Sequence, residues 1–92
     1  MISSKCLSRE VRIVNELGLH ARAAAQIARL AADAGAGVWV IRGPERADAS
    51  SIMDILTLAS AKGATLTLTV EDPADRPVLE ALVRLFANGF GE

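Results

Sequence analysis

Two segments of the chain alternate between apolar and polar residues, which predicts two β-strands that each turn one face toward a core. The first segment runs from Leu7 to Val14. The second, from Ala64 to Glu71, alternates leucine or valine with threonine. The strand side chains expected to face the core are Leu7, Val11, Ile13, Leu66, Leu68 and Val70.

Three further segments carry apolar residues at the spacing of one helix face. This pattern predicts helices over Ala21 to Ala34, Ser51 to Ala59 and Asp75 to Asn88. The helix side chains that form these apolar faces are Ile27, Leu30, Ala31, Ala34, Ile52, Ile55, Leu56, Ala59, Val78, Leu79, Leu82, Val83, Leu85 and Phe86, and for Ile52 the sequence leaves burial in the core and exposure on the surface equally open.

Residues that favour helix ends lie at the borders of these segments. Ser51 is a good N-cap, and Asp54 follows it at the spacing of a capping box. Asp75 as N-cap places Pro77 in the first turn, where proline is tolerated. The residues expected to close the C-terminal ends of the helices are Gly35, Gly37, Lys62, Gly63 and Gly89.

Two more strands are predicted between the first two helices. The apolar run from Val38 to Ile41 predicts one strand, and Gly43 to Arg46 predicts a turn after it. Arg46 to Ala49 would form the other strand, although its residues favour strands poorly. One sheet with helices on one face is the simplest packing for this order of elements. The order alone also allows a ferredoxin-like sheet.

Length and composition narrow the class of protein. The chain has 92 residues, so we expect residues 1–92 to form a single domain. A net charge of −1 disfavours nucleic acid as a partner. The sequence has neither the apolar run of a signal peptide nor one of about 18 residues that would span a membrane, so we expect a cytoplasmic protein with no membrane partner. The single cysteine, Cys6, fits a reducing compartment.

The stretch from Gly18 to Ala25 carries the candidate chemistry, because it contains the only histidine of the chain, His20. Gly18 permits a tight turn before the first helix, whose unpaired N–H groups and dipole favour an anion. Arg22 falls in the first turn, where the dipole disfavours a cation by roughly 0.3–1 kcal/mol. An anion bound between Arg22 and the helix end would offset this cost and so explains why an arginine lies in the first turn. An imidazole next to such a site suggests a carrier of phosphoryl groups.

The same stretch resembles the active-site signature of the HPr family, the histidine phosphocarriers of the bacterial phosphoenolpyruvate phosphotransferase system. The resemblance extends over about residues 7–92 and includes Ser51 to Met53, Lys62-Gly63 and Phe90 to Glu92. The segments 58–63 and 85–90 look more like the nitrogen branch of the family than the sugar branch. The chain departs from the family at Ala23, where proline is usual.

The resemblance implies an α+β open-faced sandwich, with a four-stranded antiparallel sheet in the order 1-4-2-3 and three helices on one face. It implies that His20 takes a phosphoryl group on Nδ1 from phosphorylated Enzyme I and passes it to an Enzyme IIA domain. The backbone N–H groups of Ala21 and Arg22, with the Arg22 guanidinium, would bind the phosphate. We expect a monomer that needs neither cofactor nor metal, since phosphoryl transfer depends mainly on positioning and electrostatics.

Partner docking requires an exposed surface beside the first turns of the first helix. We expect this surface to include small residues of that helix and apolar residues of the second. Among the apolar residues, a methionine is expected at the surface because its flexible side chain suits several partners. The predicted docking residues are Ala21, Ala25, Ile52, Met53 and Leu56.

Ser51 matches the position at which some family members are phosphorylated by a dedicated HPr kinase, so this kinase is a further expected partner. The alternative is that Ser51 only caps a helix. Two departures favour the cap. Ser50 stands where many kinase-regulated relatives have lysine, and Asp54 replaces a common glycine.

Two alternative functions belong to other classes, an enzyme and a regulatory module. A self-contained hydrolase or transferase would need a second acid, base or metal cluster, and the sequence provides no such set. A regulatory module could bind its partners through the same helical face, with phosphorylation of His20 as the signal. The similarity to the nitrogen branch favours this second alternative.

Overall fold

The sheet contains four antiparallel strands in the order β1-β4-β2-β3. The computed structural model describes residues 6–92. In it, the strands are β1 (Leu7–Arg12), β2 (Val38–Arg42), β3 (Glu45–Asp48) and β4 (Thr65–Val70). β4 lies between β1 and β2, with Val70 opposite both Leu7 and Val38. The expected α+β architecture and strand order are therefore confirmed, and the ferredoxin-like alternative is wrong.

Three α-helices accompany the sheet: α1 (Ala21–Ala31), α2 (Ile52–Thr57) and α3 (Arg76–Ala87). α1 contacts α2 and α3, and α3 also packs against β1 and β4. Short 3-10 turns at Pro73–Asp75 and Gly89–Gly91 flank α3. Among the described residues, none of the helices is long and apolar enough to cross a membrane.

The core lies between the sheet and the helices, and most of the predicted inward-facing residues are in it. The largest fully buried side chains are Phe86, Ile13, Ile27, Ile55, Leu66, Leu68, Leu79, Leu82, Val40 and Val70. One prediction is wrong, because Ala59 is exposed, and Ile52, for which core and surface were both left open, is exposed as well. Ile52 lies at the first position of a short helix, and Ala59 lies beyond its end.

Strand and helix ends differ from the predicted bounds by one to three residues in several places. β1 ends at Arg12 rather than Val14. Ile13 leaves the ladder but still pairs with the backbone of Gly63 and Ala64 at 2.8 and 2.9 Å. β2 extends one residue beyond Ile41, and β3 is displaced by one residue, to Glu45–Asp48. A strand forms there despite poor propensity, because β2 provides a partner for each of its four residues.

α1 ends at Ala31, three residues before the predicted end, and no left-handed glycine closes it. The chain beyond it is fixed from another part of the fold. The Asp75 carboxylate accepts hydrogen bonds from the N–H groups of Gly35 and Ala36 at 3.0–3.1 Å. Asp75 is also the N-cap residue of α3, as predicted, but its side chain is used for this distant contact instead of capping its own helix.

α2 is shorter than predicted, with six residues, and ends before Lys62 and Gly63. Leu58 is its C-cap, and Arg42 donates a hydrogen bond to the Leu58 carbonyl at 2.9 Å. Ala59 then adopts a left-handed conformation (φ 47°) that ends the helix without glycine. A basic side chain of β2, distant in sequence, thus satisfies a carbonyl that we expected Lys62 and Gly63 to cover.

Candidate active site

The loop before α1 is fixed against the loop after α2. Gly18 has φ +65°, and a Cβ at this position would lie 2.5 Å from the carbonyl oxygen of Ser60. The next residue, Leu19, donates its N–H to that same oxygen at 3.0 Å. Gly18 is therefore required both for its conformation and for the close approach of two backbones. This close contact places His20 at the start of the helix.

His20 is the N-cap residue of α1, with an extended backbone (φ −84°, ψ 176°), as its position in the sequence predicted. Its carbonyl accepts the first intrahelical bond, from Ala24 N–H at 2.9 Å. The imidazole makes no capping bond, and the side chain is 23% exposed. The ring is thus accessible to a partner, and the N–H groups of Ala21 and Arg22 precede the first helical bond.

Arg22 is exposed in the first turn of α1. Within residues 6–92, no hydrogen bond or ion pair engages its guanidinium. Ala21, beside it, is exposed as well. A cation without a carboxylate partner at the positive end of a helix dipole is available for an incoming anion.

The imidazole of His20 has a partner that the sequence reasoning missed. Its Nε2 forms a hydrogen bond with Oε2 of Glu92, 72 residues away in the chain. The same carboxylate oxygen accepts a hydrogen bond from the side-chain amide of Asn15 at 3.1 Å. The sequence reasoning gave Asn15 no role at the site, and Glu92 entered only as part of a terminal similarity. No local pattern connects either residue to His20.

The pKa of Glu92 is lowered from its ordinary value. Desolvation by burial is the largest single influence and acts to raise this pKa. The hydrogen bonds from His20 and Asn15, the charge of His20 and the backbone N–H of Leu17 together outweigh it. Glu92 is therefore ionised next to the ring at neutral pH.

The predicted docking residues differ in exposure. Met53 is 73% exposed and Ile52 40%, whereas Leu56 and Ala25 are half-buried and Leu56 packs against the core. The structure adds two exposed apolar residues that the sequence reasoning did not propose for docking, Val14 and Leu17. Both belong to the loop region before His20.

Ser51 caps α2, since its Oγ accepts a hydrogen bond from Asp54 N–H at 3.2 Å. Among the described residues, the Asp54 carboxylate does not accept a hydrogen bond from the Ser51 N–H, so the capping box is incomplete. The Asp54 carboxylate instead accepts from the N–H of Asp48 at 3.3 Å. Asp48 is itself ionised at neutral pH, because hydrogen bonds from the hydroxyl and N–H of Ser50 lower its pKa. Two carboxylates thus lie beside the cap.

Other features of the described region lie away from His20. A cavity of about 330 Å³ between α1 and α3 is lined by Leu30, Asp33, Ala74, Asp75, Pro77, Val78 and Ala81, none of which is a predicted site residue. Residues 6–92 contain no cluster of three or more His, Cys, Asp or Glu side chains arranged to hold a metal ion.

Comparison with known proteins points to a single family. Residues 7–88 match the family model for the PTS HPr component phosphorylation site. A phosphocarrier protein HPr from Cupriavidus necator is 42% identical over 86 residues, covering 94% of this chain and 97% of the relative. A phosphocarrier protein NPr from Shewanella violacea is 37% identical, with 94% of each chain covered. The crystal structure of HPr-C-His from Thermoanaerobacter tengcongensis matches with a TM-score of 0.84, 33% identity and coverage of 94% and 97%.

The fold and the sequence matches together define a phosphocarrier of the phosphotransferase system. The chain belongs to the HPr family.

Proposed function

We propose that His20 accepts a phosphoryl group on Nδ1 from phosphorylated Enzyme I and passes it to an Enzyme IIA domain. The position of His20 supports this role more than any other observation. His20 is the N-cap residue of α1, yet its ring caps nothing and remains 23% exposed. A side chain at this position contributes little to the fold, so its use in transfer does not disturb the helix.

The first turn of α1 supplies the phosphate site of this proposal. The N–H groups of Ala21 and Arg22, together with the Arg22 guanidinium, would bind the negative charge that phosphorylation adds. Because Arg22 has no carboxylate partner among residues 6–92, no existing ion pair has to break first. Binding must stay moderate, since a phosphate held too tightly would not be passed on.

In this proposal the protein is a carrier that works with partner enzymes and does not itself turn over a substrate. It docks through Ala21, Ala25, Ile52, Met53 and Leu56, which belong to two helices that contact each other. The exposed side chains of Ile52 and Met53 give this surface an apolar part that different partners can share. We further propose a single monomeric domain over residues 1–92 that acts in the cytoplasm.

A regulatory module is the second candidate, in which phosphorylation of His20 changes partner binding. The 37% identity to a protein named NPr, beside the 42% identity to one named HPr, favours keeping it. Transfer from Enzyme I belongs to both candidates. Only the carrier delivers the phosphoryl group onward to an Enzyme IIA domain.

The test is phosphotransfer from phosphoenolpyruvate through Enzyme I to the wild-type chain and to His20→Ala. We expect a label on the wild type that is acid-labile and stable in base, and none on the variant. Circular dichroism should be the same for both chains, since a partly exposed ring contributes little to stability. An acid-stable or base-labile label would place the phosphate on another residue type and contradict the proposal.

A further inference from the structure

The turn that carries Glu92 is anchored to the core, and this anchoring places the side chain of Glu92 beside His20. Gly89, Phe90 and Gly91 all have positive φ angles, of 61°, 58° and 79°. For Phe90 this conformation costs roughly 1–3 kcal/mol. Its ring compensates, because it is 98% buried and lies edge-on to Phe86 with a centroid distance of 4.9 Å. The backbone then closes with a bond from Glu92 N–H to Gly89 O at 3.1 Å.

The side chain of Asn15 also holds the carboxylate of Glu92 in place. Its amide nitrogen donates to the carbonyl of Gly18 at 2.9 Å and to Oε2 of Glu92 at 3.1 Å. Both partners are acceptors only, so the amide has one possible orientation. Asn15 is 95% buried, which fixes it in place. The turn before His20 and the carboxylate beside it are therefore linked through one side chain.

The partner of Nε2 determines which nitrogen of the neutral ring carries the hydrogen. An ionised carboxylate only accepts hydrogen bonds, so Nε2 must carry a hydrogen wherever this contact forms. In the neutral imidazole the lone pair then belongs to Nδ1. The contact is partly shielded from water, with side-chain exposures of 23% for His20 and 22% for Glu92.

Among the ion pairs of residues 6–92, only the one with Glu92 involves His20. Glu16, which lies in the loop before His20, is paired with Lys62. Arg22 makes no bond to Glu92. The carboxylate of Glu92 is thus committed to His20 and Asn15.

We propose that Glu92 is a positioning residue for phosphoryl transfer at His20, whose carboxylate holds the Nε2–H tautomer and presents the Nδ1 lone pair to the donor. This inference rests on the proposed function. In the transfer step a bond forms between Nδ1 and phosphorus. The bond between phosphorus and the donor atom breaks, and its electron pair stays with the donor. The Nε2 proton remains on the ring, which gains positive charge, and the carboxylate stabilises that charge.

The test compares Glu92→Ala and Glu92→Gln with the wild type and with Glu45→Gln as the matched control. Glu45 is an exposed glutamate at the start of β3. Two quantities are measured on each chain: the ¹⁵N chemical shifts of the His20 ring, which report the tautomer, and the initial rate of phosphorylation by Enzyme I. Circular dichroism checks that each variant is folded.

Glu92→Ala should show a measurable Nδ1–H population and roughly tenfold slower phosphorylation, by analogy with the loss of other orienting partners of histidine. Glu92→Gln can still accept from Nε2 through its amide oxygen but lacks the charge. It should therefore keep the wild-type tautomer and recover part of the rate. Glu45→Gln should match the wild type in both measurements.

A Glu92→Ala chain with the wild-type tautomer and rate would overturn the inference. A change of rate that Glu92→Gln shares in full, with no change of tautomer in either variant, would also overturn it, because only charge would then matter. Failure of the proposed function looks different, since the wild type itself would take no phosphate from Enzyme I. The NMR comparison then still decides whether Glu92 sets the tautomer.

Discussion

At the scale of single residues, the two charged side chains of the site differ in how they are held. Glu92 is engaged by His20 and Asn15, whereas Arg22 has no partner within residues 6–92. A preorganised carboxylate suits a group that must keep one orientation during transfer. An exposed guanidinium with no partner among these residues suits a group that must reach the phosphate and release it again.

Arg22→Ala should slow phosphorylation of His20 by about tenfold, which corresponds to about 1.4 kcal/mol of transition-state stabilisation. Arg22→Lys should recover only part of the rate, because lysine lacks the bidentate fork of arginine. Thermal melting should change little, since removal of a cation from the first turn relieves the helix dipole. Arg29→Ala, the same change in the last turn of α1, is the control and should transfer normally. Equal rates for the two alanine variants would remove Arg22 from the site.

The pKa of Glu92 should rise in His20→Ala. Burial already acts to raise it, and the variant loses the hydrogen bond and the charge of His20 that lower it. Because this pKa is depressed in the folded chain, the stability that ionised Glu92 provides is present above its unfolded-state pKa. That stability is lost as the pH falls through the folded value. A ¹³C NMR titration of the carboxyl groups measures the shift, and Asp48, held by Ser50, is the internal control. An unchanged Glu92 pKa would mean that the contact does not form in solution.

Ser51 should act as a helix cap, with the carboxylates of Asp48 and Asp54 opposing a phosphate there. Ser51→Ala should lower the free energy of unfolding by about 0.5–2 kcal/mol. Ser51→Asp keeps a capping oxygen and adds charge, so it should fold normally and accept phosphate from Enzyme I at the wild-type rate. A Ser51→Asp chain that folds but accepts phosphate poorly would support regulation at this residue instead.

At the scale of elements, local pattern predicted every strand and helix but not where several of them end. β4 follows its alternation closely, because each leucine or valine is buried, whereas Thr65 is exposed and Thr67 and Thr69 are half-buried. Two long-range contacts near the helix ends could not be predicted. Arg42 of β2 donates to the carbonyl of Leu58 at the end of α2, and Asp75 holds Gly35 and Ala36 in the loop beyond α1. Sequence pattern describes an element's own periodicity and contains no information on such partners.

Met53→Glu in α2 should weaken binding to Enzyme I and to the Enzyme IIA acceptor by tenfold or more, about 1.4 kcal/mol or more each. The side chain is 73% exposed, so a carboxylate there leaves the core intact and circular dichroism should stay native. The control is Thr65→Glu, an exposed residue of β4 opposite Arg12 on β1. Titration calorimetry with each partner measures the effect. Native folding with unchanged affinity for both partners would remove Met53 from the docking surface.

At the scale of the whole molecule, the fold completes a site that the sequence contains only in part. The stretch from Gly18 to Ala25 indicated a histidine, a helix start and an arginine, and the structure assembles all three as expected. The contact between His20 and Glu92 joins residues 72 positions apart, and it depends on how α3 returns the chain past the β1 end of the sheet. No pattern within one element carries that information.

Another long-range contact holds the loop beyond the opposite end of α1, and Asp75→Asn tests its contribution to stability. Asp75 is 92% buried and accepts three hydrogen bonds from Gly35 and Ala36. An asparagine keeps one acceptor oxygen but turns an NH₂ group toward a backbone N–H. We expect the free energy of unfolding to fall by about 1–3 kcal/mol, and each kcal/mol lowers Tm by about 4–8 °C in a domain of this size.

Phosphorylation by Enzyme I should be unchanged in Asp75→Asn, because the 11 residues of α1 separate its contacts from His20, a distance of about 16 Å along the axis. Asp33→Asn, an exposed aspartate next to the end of α1, is the control and should melt like the wild type. Thermal denaturation and the transfer assay, run on the same preparations, separate the two effects. A chain that melts normally would show that the hydrogen bonds of Asp75 add little to stability. A chain that loses transfer while still folded would show that the two ends of α1 are not independent.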